Sequence, residues 1–303
     1  MSGDYAAFGL QIHSEIDLPE LAPGKATTVA DVSIRLERLA PLDDRLRGLQ
    51  RIGDDAFLRV RNVALFRIRG GREIAIDPAP GASARNVRLF LLGSALGALC
   101  HQRGLMPLHA SAIVTGRRAV AFAGPTGVGK STLTAHYQSR GHEILCDDVC
   151  VVSFDEAGRP LAWPGLPRIK LWQDALDRFG LARTDLERTH DGVDKFHLPL
   201  PAQLHREPVP LEAVYVLSDA VGWAPEVTAL SGVAAVEALL RNIYRPQYLR
   251  PMNLAEQAFR QTVRIANQAG VFEAPRVRGF EVFAPEAARL ERHFSLSVAA
   301  ALT

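Results

Sequence analysis

Cysteine, methionine and tryptophan occur only three times each in the 303 residues. The cysteines, Cys100, Cys146 and Cys150, form no C-x-x-C pair, so neither a zinc ribbon nor a disulfide framework organises the chain. Charge of one sign is not in excess. The 35 basic residues face 33 acidic ones for a net charge of +2, which argues against a strongly basic nucleic-acid binder. Long apolar runs are missing too: the most apolar helical stretch, residues 89–100, is too short to span a bilayer. The first residues show no charged segment followed by an apolar one, and no internal repeat is visible. The expectation is a cytoplasmic protein without membrane or nucleic-acid partners. What the chain does have is core-forming material, with 48% hydrophobic against 22% charged residues. That composition excludes a disordered chain, and the length allows two domains.

Residues 1–84 read as a β-rich N-terminal domain. Short, partly alternating segments at 8–12, 32–36, 57–60, 63–68 and 74–76 are separated by turns rich in Gly, Pro and Asp. A helix over about 84–103 follows, with Ser83 as N-cap, Leu89, Leu92, Ala95, Leu96 and Leu99 at helical spacing, and Gly104 as a stop. Residues 85–303 form the second, α/β domain. Strands are expected at 110–114, 119–123, 143–146, 149–154 and 213–217, and helices at 131–140, 172–179, 233–243 and 254–269. The polar stretch 184–206 holds two prolines and three histidines and reads as a long mobile loop.

The chemistry concentrates at residues 124–132, Gly-Pro-Thr-Gly-Val-Gly-Lys-Ser-Thr, which fit G-x-x-x-x-G-K-[ST] without a mismatch. Gly124, Gly127 and Gly129 let the backbone wrap a phosphate chain closely. The N–H groups of the loop, including Thr126, Val128 and Thr132, then point inward. Lys130 brings a positive charge to the β- and γ-phosphates, Ser131 a hydroxyl for Mg²⁺, and the helix that starts here adds its positive end. An apolar strand before the loop and a helix after it set this apart from a glycine-rich turn with a surface lysine.

Asp147 and Asp148 follow at the end of strand 143–146, where open α/β sheets bind ligands. One carboxylate can hold Mg²⁺ and the other can take a proton from an attacking hydroxyl. The bland alternative is a solvated acidic turn. His109 introduces the strand expected beside the loop strand, from which it could reach the γ-phosphate or Asp147. Arg168 and Lys170 alternate and share one face of a strand, where they could meet a second phosphate or an acidic substrate, and Lys195 sits where a lid would. Each of these cations has a solvated surface role as its alternative. Arg241, Arg245 and Arg250 flank Tyr244 and Tyr248, and a helix end explains them as well as a nucleic-acid patch does.

The ordered set of His109, the loop 124–132, Arg140-Gly141-His142 and Asp147-Asp148 resembles the catalytic domain of the HPr kinase/phosphorylase superfamily, whose nucleotide fold is akin to that of phosphoenolpyruvate carboxykinase. The resemblance covers residues 108–152 well and the rest weakly. It implies a P-loop catalytic domain beside the smaller β-rich domain, ATP and Mg²⁺ as cofactors, a peptide or protein with an acceptor serine as partner, and an oligomer. Under it, Asp147 is the general base, Lys130 stabilises the transferring group, Ser131 and Asp148 hold the metal, and His109 assists. After the aspartate pair the chain departs from true HPr kinases, reading Pro167-Arg-Ile-Lys-Leu-Trp172. With Tyr5-x-x-Phe-Gly-Leu, Ser14-Glu-Ile-x-Leu-Pro-Glu-Leu and Lys195, it looks more like the HPr-kinase-related proteins found with lasso-peptide biosynthesis, which phosphorylate the C-terminal serine of a precursor peptide. The reading is therefore a serine kinase. A small-molecule kinase or carboxykinase-like enzyme on the same core, and a non-catalytic nucleotide-dependent binder, are the alternatives.

Overall fold

The computed structural model describes residues 2–25, 29–40, 42–43, 48–178, 186–188, 194–200, 207–220, 226–277 and 279–300. It is a mixed α/β protein. An eight-stranded sheet occupies the N-terminal part, in the order Ala22–Pro23, Gly3–Ala7, Leu10–Ser14, Val32–Leu36, Glu73–Pro78, Ala64–Arg69, Asp55–Val60, Gly48–Ile52. Alternation drives it: Leu10, Ile12 and Ser14 turn inward while Gln11 and His13 turn outward. The strand expected at 8–12 is instead two strands. Phe8 and Gly9 take positive φ and form the turn of a hairpin whose first strand is Gly3–Ala7. Strand Gly48–Ile52 was not anticipated.

The helix expected over 84–103 is present, but its middle is wound differently. Helix Ala84–Phe90 passes through a π-helical turn, Leu91–Ala95, into helix Leu96–Gln102. Ser83 caps it as expected, its Oγ accepting from the Asn86 N–H at 3.2 Å. Leu91, Leu92, Leu96 and Leu99 join the core of the N-terminal sheet, as do Val149, Val151, Leu166, Tyr244, Tyr248 and Met252 from much later in the chain. The boundary expected at residue 84 thus falls between a sheet and a helix that share one core.

The second large sheet runs Glu143–Cys146, Ala110–Thr115, Arg118–Ala123, Val209–Asp219, Pro160–Trp163, Cys150–Phe154, Met106–Leu108, with Gly270–Arg276 also paired to Val209–Asp219. Its central strands are covered on both faces, which is why Arg118–Ala123 is an apolar run. Val120 and Phe122 pack with Leu133 and Tyr137 of helix Lys130–Ser139. Ala119, Ala121 and Ala123 belong to the opposite core, with Ala235 and Leu239 of helix Gly232–Arg241 and Ala258 and Ile265 of helix Ala255–Gln268.

Three further elements differ from expectation. The C-terminal helix Phe280–Ala300 was not foreseen; it seats Phe283, Ala287, Leu290 and Phe294 against Phe122, Tyr137 and Tyr215. Part of the expected mobile loop is ordered: Lys195–Pro199 pairs with Arg168–Trp172 and with Glu187–Arg188 in a small antiparallel sheet. Helix Gln173–Arg178 starts one residue later than expected because Trp172 ends the strand. Residues 179, 184–185, 189–193 and 201–206 of those two expectations lie outside the described residues. No described helix is long and apolar enough to cross a membrane.

Candidate active site

Strand direction brings the site together. Arg118–Ala123 runs parallel to Val209–Asp219, which runs parallel to Gly270–Arg276. Ala110–Thr115 is antiparallel both to Arg118–Ala123 and to Glu143–Cys146. The glycine loop, Asp147, Asp219, Arg276 and the start of the His109 strand therefore gather at one sheet edge, where ligands bind in open α/β sheets. Gly124 leaves its strand at φ +138, and a Cβ there would sit 2.5 Å from the Leu217 carbonyl oxygen, so only glycine passes. Helix Lys130–Ser139 begins at once, turning its free N–H groups toward the loop.

Lys130 is 7% exposed, and its Nζ donates to Gly124 O at 2.7 Å and Pro125 O at 3.1 Å. Burial pushes this ammonium down to about 8, against the pull of Asp148 and Asp147. Nζ also lies 3.1 Å from His109 Nε2, while His109 Nδ1 lies 3.1 Å from Asp148 O. An ammonium can only donate, so Nε2 accepts and Nδ1–H donates to the carbonyl. Burial first, and Lys130 second, lower the histidine from its ordinary value, which keeps this neutral tautomer.

The two carboxylates have different surroundings. Asp147 is buried: its Oδ1 accepts from Ser111 Oγ at 2.6 Å and Ser131 Oγ at 2.8 Å, and its Oδ2 from the Lys170 N–H at 2.8 Å. Asp148 takes φ +71 and lines a cavity of about 740 Å³ that also touches His109, Gly124, Arg241, Tyr244 and Arg245. Its Oδ2 accepts from Lys170 Nζ at 2.6 Å. Burial alone would raise this carboxyl, but Lys170, then His109 and Lys195, outweigh it and hold the group well below the usual carboxylate range.

These contacts revise the sequence-based pairing of Ser131 with Asp148. The serine hydroxyl meets Asp147, and Asp148 is the carboxylate that faces the cavity. Lys170 joins the site through both carboxylates. Lys195 stands opposite Trp172, its Nζ 5.8 Å from that ring, and its charge is felt by Asp148, His109 and Lys130. It reaches the site from a paired strand and not from a loop. Arg168 is buried on the same strand as Lys170, and the charge it bears acts on His197. The sequence reading missed Ser111, the second residue of strand Ala110–Thr115, whose hydroxyl reaches Asp147. It also missed the segment after helix Gly232–Arg241. That segment is tied to the His109 strand by His109 N–H to Asn242 O at 2.7 Å and Tyr244 N–H to Pro107 O at 2.8 Å.

The donor set suits Mg²⁺. Ser131 Oγ and the Asp147 carboxylate are hard oxygens side by side, and Mg²⁺ is ordinarily held by one or two such ligands with phosphates and water completing the shell. Among the described residues no group of three or more His, Cys, Asp or Glu forms a separate metal cage.

No protein-family model matches this chain. No curated protein matches it either. Among solved structures it is similar to the Hpr(Ser) kinase/phosphatase from Coxiella burnetii, at 15% sequence identity and a TM-score of 0.33, over 62% of this chain and 95% of that one.

Proposed function

We propose that this protein is a phosphotransferase that moves the γ-phosphoryl group of ATP to a serine hydroxyl of a peptide or protein. The observation that carries the reading is the cluster of Lys130, Ser131, Asp147 and Asp148 beside a glycine loop, with Asp148, His109 and Gly124 lining a cavity. A pure nucleotide binder has no need of a second carboxylate facing open space. The loop amides and Lys130 bind and orient the phosphate chain. Ser131 and Asp147 hold Mg²⁺, which supplies charge neutralisation on the phosphates when bound.

The assignment of the two aspartates is exchanged relative to the sequence reading. Asp147 already accepts from Ser111, Ser131 and Lys170, which leaves about one acceptor position, enough for a metal ion, whereas Asp148 faces the space where an acceptor hydroxyl would lie. In this reading Asp148 accepts the hydroxyl proton as the new P–O bond forms. A carboxylate held low in pKa suits a loose transition state, in which proton transfer comes late. His109 orients Lys130 and the Asp148 backbone.

A second reading rests on the cavity itself. About 740 Å³ lies in the range filled by small-molecule ligands, so a small hydroxyl compound is the alternative acceptor. Transfer assays with Mg-ATP, read by intact mass spectrometry, separate the two. The acceptors are a lasso precursor peptide ending in serine, the phosphocarrier HPr, and a no-peptide control. One phosphoryl group gained on the peptide or on HPr supports the kinase reading and identifies the branch. ATP consumed with neither labelled moves the reading to a small acceptor. ATP neither bound nor consumed ends it.

A further inference from the structure

Arg276 ends strand Gly270–Arg276 on the sheet edge that carries the glycine loop. It is 7% exposed, and its Nε finds no hydrogen-bond partner among the described residues. A buried guanidinium with an unfilled donor costs free energy, and such groups are retained where something else completes them. Two contacts show where it points. A Cβ placed on Gly129 would lie 3.3 Å from Arg276 Nη1, so the guanidinium rests directly against the loop. Its Cζ lies 5.2 Å from the centre of the Phe283 ring, so the ring flanks the guanidinium.

Arg276 lines a second cavity, of about 190 Å³, with Gly127, Gly129, Thr132, Asp219 and Phe283. The residues lining it do not include His109, Lys130 or Asp148, all placed at the other cavity or at the carboxylates. In a loop of this type the lysine serves the β- and γ-phosphates, and the backbone amides serve the α- and β-phosphates. The space beside Thr132 therefore belongs to the nucleoside end of the chain. Below the roughly 300 Å³ of ordinary ligand pockets, it admits part of a nucleotide only.

We infer that Arg276 is a binding residue for the α-phosphate of a nucleoside triphosphate, in a small site it shares with Asp219 and Phe283. Arg276 supplies N–H donors to the phosphate. The carboxylate of Asp219, on the neighbouring strand end, is an acceptor of the kind that serves ribose hydroxyls. Burial draws the Arg276 guanidinium below its ordinary value, and a phosphate beside it would reverse that cost. The inference rests on the nucleotide reading of the glycine loop, and it adds the residue that distinguishes a nucleotide from a bare phosphate chain.

The test is calorimetric binding of Mg-ATP and of Mg-pyrophosphate to the full chain, with thermal unfolding measured on the same samples. Arg276→Gln is expected to weaken Mg-ATP tenfold or more while Mg-pyrophosphate changes less than twofold. Lys130→Met is expected to weaken both ligands. Arg276→Lys keeps the charge without the fork, and an intermediate loss for Mg-ATP is expected. It also serves as the measured variant should Arg276→Gln fail to fold. Unchanged Mg-ATP affinity with a lowered melting temperature would overturn the inference and leave Arg276 a packing residue. Equal losses for ATP and pyrophosphate would overturn it also, placing Arg276 on the β/γ end. Failure of the parent chain to bind either ligand would overturn the nucleotide reading, and this inference with it.

Discussion

Lys170 holds the Asp148 carboxylate at 2.6 Å through its side chain, while its backbone N–H holds the Asp147 carboxylate at 2.8 Å. One residue thus fixes both acids. The strand that presents it, Arg168–Trp172, is anchored by Ile169 and Leu171, which are fully buried with Leu176 and Phe196.

Removing the Lys170 charge has two expected consequences. Lys170→Met keeps the backbone bond to Asp147 and strips the ammonium from Asp148. Both side chains are about one-fifth exposed, so the loss of stability is about 1–3 kcal/mol, less than for a fully buried pair. With its largest opposing charge gone, burial raises the Asp148 carboxyl. The acid limb of the transfer rate then moves to higher pH. An acid limb that stays in place would remove Asp148 as the proton acceptor.

The two aspartates separate by what is lost. Asp148→Asn is expected to leave Mg-ATP affinity within about threefold and to cut transfer by about 10²–10⁴-fold, the usual span of a general base. Asp147→Asn is expected to raise the Mg²⁺ concentration needed for half-maximal nucleotide binding. Single-turnover transfer and Mg²⁺ titrations read the two effects. The reverse pattern would restore the assignment made on sequence alone.

The Lys130 ammonium, pushed down to about 8, makes nucleotide binding pH-dependent. It is charged below that value and neutral above it, so Mg-ATP affinity falls as pH rises through about 8. Proton uptake accompanies binding above it. For stability the sign is opposite. Between pH 8 and the unfolded value of about 10.4 the unfolded chain carries the extra proton, so this residue's penalty is complete below pH 8 and is relieved as pH rises. Calorimetry in buffers of different ionisation enthalpy measures the uptake. Lys130→Met is expected to abolish it, and persistence of the uptake in that variant would assign it to another group.

Phe294 sits fully buried at the centre of the core beneath the loop helix, with ring centroids 5.3 Å from Tyr137 and 6.2 Å from Phe122. Phe294→Ala is expected to cost about 3–5 kcal/mol in urea unfolding. A loss under about 1 kcal/mol would mean that the C-terminal helix contributes little to this core.

Much of this site could be read from the residue order alone, because the glycine loop and the aspartate pair are local patterns on adjacent elements. Strands Val32–Leu36 and Glu143–Cys146 fall where alternation and apolar content place them. Which of Asp147 and Asp148 meets Ser131 and which lines the cavity could not be read, since it depends on which way each side chain leaves a strand end. The positive φ of Asp148 decides that. The C-terminal helix carries a helical stripe of Phe283, Ala287, Leu290 and Phe294, but Pro285 inside it reads as a breaker. The Phe8–Gly9 turn was missed because apolar residues on both sides make one continuous run. Arg276 stood outside any motif, and only the parallel pairing of its strand brings it to the loop.

The core beneath the N-terminal sheet has a consequence for the order of events in synthesis. Its inner face is closed by Leu91, Leu92, Leu96 and Leu99, then by Val149, Val151 and Leu166, and last by Tyr244, Tyr248 and Met252. The hairpin turn at Phe8 donates its N–H to the Pro164 carbonyl at 3.2 Å, and a Cβ on Gly9 would collide with the Trp163 ring. In chain order the sheet therefore precedes the later part of its cover by some seventy residues or more. The strands of the first 78 residues thus meet part of their cover at once, in the helix over 84–102, and the rest only when residues 149–252 follow.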